Sequence, residues 1–288
     1  MKKKYKLLIQ GIAALIQNAN FKGFFTGEIY QGAGKNVCVP GLNCYSCPGA
    51  VGSCPIGSLQ NSLSSYKFKF PYYVLGLLFF FGALLGRFIC GFLCPFGFLQ
   101  DLIYLIPFPQ RIRKKCNHFK GDSFLRYIKY AVLVFMVILL PILFKLTPVF
   151  CKYLCPSGTL SGLILMISNH ELFGLIGNHF LLKLGILIFI VLISVLIFRP
   201  FCKYLCPLGA IYGLFNHISL LQIKVDSNLC NGCGICEKVC DMNVDIKKTP
   251  SGAECIRCGR CMEACPQKAI RFGTAFSSNQ QAEPNQSK

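Results

Sequence analysis

The chain has 288 residues, 53% of them hydrophobic, only 14% charged, and 19 of them cysteine; its mean hydropathy is +0.52. Soluble domains are about a quarter charged, so a single soluble globule is excluded, as is disorder of the bulk of the chain. The formal charge of +19, from 30 Lys+Arg against 11 Asp+Glu, suits nucleic acid or an anionic membrane surface, and the apolar runs decide for the membrane. An odd cysteine count excludes complete internal disulfide pairing, and any cysteines held as thiolates on metal bring the true charge well below +19.

Four segments are candidate membrane helices. Residues 7–25 are the weakest, with Gln10, Gln17, Asn18, Asn20 and Lys22 inside, after Lys2, Lys3, Lys4 and Lys6. No small-residue cleavage site follows, so this segment reads as a retained helix and not as a signal peptide. Residues 70–86 are uncharged for 17 positions, 130–144 for 15 and 184–198 for 15. A span needs about 20 residues, which these runs reach by snorkelling Arg87, Lys129, Lys145, Lys183 and Arg199 to the interface. From residue 225 to 273 cysteines, glycines and charges replace the apolar runs, which reads as a small soluble domain. Residues 274–288 read as a disordered tail.

One local pattern recurs four times: Cys54-Pro-Ile-Gly-Ser-Leu-Gln, Cys94-Pro-Phe-Gly-Phe-Leu-Gln, Cys155-Pro-Ser-Gly-Thr-Leu-Ser and Cys206-Pro-Leu-Gly-Ala-Ile-Tyr. In the last three another cysteine stands four residues earlier, at Cys90, Cys151 and Cys202; ahead of the first stand Cys44 and Cys47. The apolar stretch after each Cys-Pro lasts roughly 9 to 13 residues, too short to span and suited to an interfacial or re-entrant helix. Proline fits the first position of such a helix, where its missing N–H costs nothing.

The C-terminal cysteines carry the most specific pattern. Cys230-x2-Cys233-x2-Cys236-x3-Cys240 precedes Cys255-x2-Cys258-x2-Cys261-x3-Cys265-Pro266, the bacterial two-cluster ferredoxin spacing, in which the fourth cysteine of each run crosses to the other cluster. Cys230, Cys233, Cys236 and Cys265 then hold one [4Fe-4S] cluster, and Cys240, Cys255, Cys258 and Cys261 the other. Gly232, Gly234 and Gly259 permit the tight backbone, and Asp241 stands where proline often follows the fourth cysteine. Four-cysteine zinc sites are the rival use of such sets.

Sidedness groups the remaining cysteines. Basic residues concentrate on the cytoplasmic side, which places Arg111, Arg113, Lys114, Lys115, Lys120, Arg126 and Lys129 inside. The four repeats then alternate out, in, out, in, with the ferredoxin segment in the cytoplasm. Cys90, Cys94, Cys202 and Cys206 form an inner four-thiolate set. Cys151 and Cys155, with two of Cys44, Cys47 and Cys54, form an outer one, for which disulfides are the alternative. Helix N-termini after each Cys-Pro would favour an anionic cluster. No Cys-x-x-Cys-His occurs, which disfavours covalent haem; His118, His170, His179 and His217 read as interfacial, and Cys38 and Cys116 match no repeat.

Asn43-Cys-Tyr-Ser-Cys-Pro, Cys90-Gly-Phe-Leu-Cys-Pro-Phe-Gly, Phe201-Cys-Lys-Tyr-Leu-Cys-Pro-Leu-Gly and the C-terminal cysteine runs resemble the NapH/NosR-type membrane polyferredoxins over residues 41–271. The resemblance implies electron transfer between the quinone pool or cytoplasmic donors and an extracytoplasmic reductase system. The sequence has no counterpart of the large flavin domain of NosR, and Cys151 and Cys155 are a pair those proteins need not have.

The expected architecture is a mainly α-helical integral membrane protein with inverted Cys-Pro repeats, plus a small α+β two-cluster ferredoxin domain. Its divisions are 1–64 (N-terminal helix and extracytoplasmic cysteine loop), 65–222 (transmembrane), 223–273 (ferredoxin) and 274–288 (tail). The expected cofactors are two [4Fe-4S] clusters in the ferredoxin domain and one or two in the membrane. The expected location is the cell membrane, multi-pass, with redox proteins on one or both sides as partners, quinone as a candidate, and no nucleic acid. No paired carboxylates, Ser/His/Asp set or phosphate loop stands out, so the reading is an electron carrier or oxidoreductase subunit and not a stand-alone catalyst. A quinol-oxidising subunit of a larger reductase is one rival; a zinc or thiol-disulfide membrane sensor is the other.

Overall fold

Each of the four Cys-Pro-x-Gly motifs starts a helix. The cysteine is the N-cap in extended backbone and the proline the first helical residue of Pro55–Ser64, Pro95–Ile103, Pro156–Ser168 and Pro207–Phe215. In the last three the cysteine sulfur accepts the N–H of the glycine three residues on (Gly97, Gly158 or Gly209) at 3.4 Å. These helices have 10, 9, 13 and 9 residues, so they are as short as the sequence implies. The computed structural model describes residues 3–65, 70–119, 121–144, 148–169, 174 and 177–275, which are mostly helical. Lys2, Lys120, Lys145, His170 and residues 276–288 lie outside the described residues.

Two helices, Asp122–Leu143 of 22 residues and Asn178–Leu196 of 19, are long and apolar enough to cross a bilayer. Tyr72–Leu85 is equally apolar but has 14 residues. The first of the long helices starts well before the uncharged run at residue 130, so Arg126 and Lys129 lie within it. Its middle turns, Val132–Leu139, are π-helical, and the Met136 carbonyl accepts Nε2 of Gln60 at 2.9 Å.

The snorkelling expectation fails at three residues. Arg87, Lys129 and Arg199 are each 0% exposed. Burial of a long cation is tolerable only where its charge is paired, and carboxylates and carbonyls inside the protein take most of the donors, Nε of Arg87 being left without a partner. Arg87 pairs with Glu254 at 2.6 Å, Lys129 pairs with the same carboxylate, and Arg199 pairs with Asp101 at 2.6 Å.

Residues 7–25 are not one helix. The chain breaks between Lys3–Gln17 and Phe21–Thr26, where Asn18 turns Nδ2 back to the Ala14 carbonyl and Asn20 reaches the Pro48 carbonyl at 2.8 Å. The first of these helices is inside out by soluble standards. Lys6 and Gln10 are buried, donating to Asp101 and to the Gly91 carbonyl, while Leu8, Ile9, Ile12, Leu15 and Ile16 are exposed.

The C-terminal part closes with antiparallel strands Leu221–Val225 and Ile270–Thr274, paired Ile223 to Phe272, around buried Ile223, Met242, Val244, Ile246 and Ile256. Short helices Ile235–Lys238 and Arg260–Ala264 follow left-handed Gly234 and Gly259 (φ 72° and 77°). Gly232 in the first cysteine run is left-handed too, and its counterpart in the second run is Arg257, at φ 54°. A left-handed arginine is strained, and its guanidinium supplies the compensation: it donates to the Leu85 carbonyl at 2.6 Å and the Asn216 carbonyl at 2.9 Å. Asn216 in turn donates to the Gly252 and Cys255 carbonyls. With the Arg87–Glu254–Lys129 cluster, these bonds fix the C-terminal part against the helical part.

Candidate metal centres

The cysteines gather in four quartets. Cys230, Cys233, Cys236 and Cys265 line a cavity of about 380 Å³ walled by Val225, Ile235, Ile246 and Ile270. Cys240, Cys255, Cys258 and Cys261 line a second, of about 370 Å³. In each cavity the fourth cysteine of one run stands with the first three of the other.

In the helical part, Cys206 faces Cys202, Cys90 and Cys94, and all four are buried. Cys151 faces Cys155, Cys54 and Cys44. Of the three candidates for the outer set, Cys44 and Cys54 are the ones that lie near Cys151. The Cys47 sulfur lies 3.7 Å from Oδ1 of Asn18, and the Cys38 sulfur 3.5 Å from the Ser58 hydroxyl. Cys116 lies on Gln110–Asn117, outside all four quartets. His118 bonds Asn243 and His179 meets the Tyr153 ring.

In two of the Cys-Pro-x-Gly motifs the glycine has a spatial reason. A Cβ on Gly97 would lie 3.1 Å from the Cys90 carbonyl oxygen and 3.2 Å from the Arg199 guanidinium; one on Gly209 would lie 3.2 Å from the Cys202 carbonyl oxygen. There the first helical turn is pressed against the quartet, and a bare backbone lets it approach. Gly158 and Gly57 have room for a Cβ, at ordinary contact distance from the sulfurs of Cys44 and Cys151.

Two residue pairs escape a reading of cysteine spacing alone. Gln60 and Gln100 hold the same place, six residues after Cys54 and Cys94. Gln60 accepts the Cys151 N–H at 3.3 Å; Gln100 donates to the Cys202 sulfur at 3.2 Å and accepts the Phe201 N–H at 3.2 Å. Arg87 and Arg199 each stand three residues before a motif's first cysteine, at Cys90 and Cys202. The shared offsets were the signal in both cases.

Electrostatics around the second C-terminal quartet favour negative charge at Cys258 alone, while burial disfavours it at the other three thiols. Burial alone would raise the Cys258 thiol, but Arg260 and Lys6 outweigh it and lower it. Burial pushes the Cys255 thiol up to about 12. Burial would also raise the Glu254 carboxyl, yet Arg87 and Lys129 hold it down at about 2. Among the described residues no three His, Cys, Asp or Glu side chains come together as a site for one ion. The sulfurs border cavities instead, with backbone N–H donors, apolar walls and cations around them. Four thiols so spread fit a cluster of several irons better than a single zinc ion.

Comparison with known proteins agrees with that chemistry. Residues 70–116, 128–172 and 180–226 match one 4Fe-4S binding domain family, and residues 253–271 match a second. This defines the class, a ferredoxin-type 4Fe-4S protein. An uncharacterized protein of Methanocaldococcus jannaschii is 33% identical over 195 residues, covering 67% of this chain and 74% of its own. The ferredoxin-type protein NapH of Haemophilus influenzae is 26% identical over 216 residues, covering 69% and 67%. The methylamine utilization ferredoxin-type protein MauN of Methylobacillus flagellatus is 28% identical over 172 residues, covering 58% and 51%. No solved structure matches the chain. The chain belongs to the NapH-type polyferredoxin family.

Proposed function

We propose that this protein is a membrane-bound relay that passes single electrons between a cytoplasmic ferredoxin domain and an extracytoplasmic acceptor. The two C-terminal quartets would hold two [4Fe-4S] clusters, Cys90, Cys94, Cys202 and Cys206 a third, and Cys44, Cys54, Cys151 and Cys155 a fourth. Each cluster, when bound, supplies a site that takes up and gives up one electron. The protein's own work is to hold the thiolates, exclude water and bring the sites close.

The observation that carries this reading is that the quartets adjoin in series. The loop between Cys255 and Cys258 lies against the Cys90 motif so closely that a Cβ on Gly91 would meet the Ile256 carbonyl oxygen at 2.5 Å. The helical quartets meet in turn around the segment that leads to Cys44.

Membrane embedding is supported by the inverted distribution of side chains. Arg87, Lys129, Arg199 and Lys203 are buried, while Phe79, Phe80, Leu181, Phe189 and Leu192 are exposed, which suits lipid and not water. The basic stretch through Arg126 packs on the C-terminal part, with Arg126 donating to the Met242 and Asn243 carbonyls at 3.1 Å. By the positive-inside rule both then face the cytoplasm.

Iron analysis and EPR of anaerobically purified protein test the reading: four cubane clusters require about 16 irons per chain. Zinc in place of iron, with no EPR signal on reduction, would overturn it.

One cavity favours a second reading. Lys6, Leu7, Asp101, Tyr104, Phe198 and Arg260 line a small hollow beside Cys258 with polar and apolar walls, where the edge of a quinone ring could approach. In that reading quinol supplies the electrons, and a quinol analogue added to the oxidised protein would reduce it.

A further inference from the structure

Resting on the four-cluster reading above, we infer that residues 40–44 are the bridge by which an electron passes from the inner helical cluster to the outer one, and that Tyr212 and Gly41 hold this bridge in place.

The bridge begins against one quartet and ends in the other. At its start, a Cβ on Gly41 would lie 3.0 Å from Cα of Cys94, 3.2 Å from the Leu93 carbonyl oxygen and 3.3 Å from the Pro95 ring, so only glycine allows this contact. The next residue, Leu42, is 2% exposed and so is buried beside this contact. Two residues on, Cys44 belongs to the outer quartet. The route from Cys94 to Cys44 therefore crosses the close contact at Gly41 and then runs through the covalent bonds of residues 41–44. Asn43 steadies the strand by donating to the Gln17 carbonyl at 3.2 Å.

Tyr212 holds the entry to this bridge. Its ring is 0% exposed and lies amid Cys90, Cys94 and Cys206 of one quartet and Cys54 of the other. Its hydroxyl donates to the Pro40 carbonyl at 3.0 Å, across 172 residues of sequence. Removing that donor leaves the half-buried Pro40 carbonyl without its partner, and the segment relieves this by moving off Cys94. Tyr212 keeps its proton throughout: one electron leaves the reduced inner site and arrives on the oxidised outer one, with no bond made or broken.

The test uses the full-length protein, loaded with iron and reduced by a photochemical one-electron donor, with arrival at the outer cluster followed by freeze-quench EPR. Tyr212→Phe should keep the iron content and both cluster spectra, slow arrival at the outer cluster severalfold, and weaken the magnetic coupling between the two reduced clusters. Gly41→Ala should do the same more strongly. Unchanged arrival and coupling in Tyr212→Phe overturn the inference even if Gly41→Ala fails to fold. A wild-type protein lacking the outer cluster's iron and signal would instead sink the underlying four-cluster reading, so the two failures are distinguishable.

Discussion

Arg87 donates Nη2 to the carbonyl of Cys202 at 3.0 Å, and Arg199 donates Nη1 to the carbonyl of Cys90, so each arginine closes over the other's motif. Both are fully buried, and each is neutralised by a carboxylate, Glu254 for the first and Asp101 for the second. The two Cys-x3-Cys-Pro motifs are thereby locked as a reciprocal pair.

Arg199→Gln should break that lock. Asp101 would keep Lys6 but lose both guanidinium bonds, and removal of one member of a buried pair costs about 3–5 kcal/mol. Thermal unfolding should shift down accordingly, with loss of about four irons from the inner quartet. Arg199→Lys should rescue little, because an ammonium cannot match the two-point grip on Asp101. Wild-type stability and iron content in the glutamine variant would show that the lock is ornamental.

Cys44 and Cys47 make a clean contrast. Cys44→Ser should remove about four irons from the outer quartet, whereas Cys47→Ser, whose sulfur is turned to Asn18, should keep them all. Iron per chain and the EPR spectrum of the reduced protein decide the matter; equal losses, or losses in reverse order, would reassign the quartet.

Gln100 should tune the inner cluster and not hold it. Its Nε2 donates to the Cys202 sulfur, and such a bond favours the more negative, reduced state. Gln100→Leu is therefore expected to retain iron and lower that cluster's reduction potential in an EPR-monitored titration. A potential that stays put or rises would contradict the assignment.

Sidedness can be mapped directly. A tag at Lys115 should be reachable from the cytoplasm and one at Lys152 only from outside, since Asp122–Leu143 separates them. Labelling of both from one side would remove the alternating arrangement of the repeats.

The quartets were legible because ligand spacing is a local property. Cys-x2-Cys runs and a cysteine followed by Pro-x-Gly are set by how a chain turns around a cluster, and that turn is written within a few residues. The choice of Cys44 over Cys47 was not legible, because it depends on Asn18 and on where distant helices place Gly158. The buried cations were misread for a related reason. A lysine or arginine beside an apolar run looks the same whether it reaches water or a carboxylate, and Glu254 lies 167 residues from Arg87. The break at Asn18 and Asn20 was visible as polar residues, yet its cause, the carbonyl of Pro48, was not.

The inside-out character of Lys3–Gln17 bears on how the protein is made. The carboxylate that accepts Lys6 is 95 residues downstream of it, so this helix is made before its partner. Until then a lysine in the bilayer would cost about 2.5–3.5 kcal/mol on the insertion scale, with Gln10 adding its own unpaired amide. Apolar Leu8, Ile9, Ile12, Leu15 and Ile16 meanwhile hold the segment at the lipid boundary. On the membrane-bound reading, this segment would stay at the surface until Asp101 and the Gly91 carbonyl are in position, so its docking depends on parts of the chain made after it.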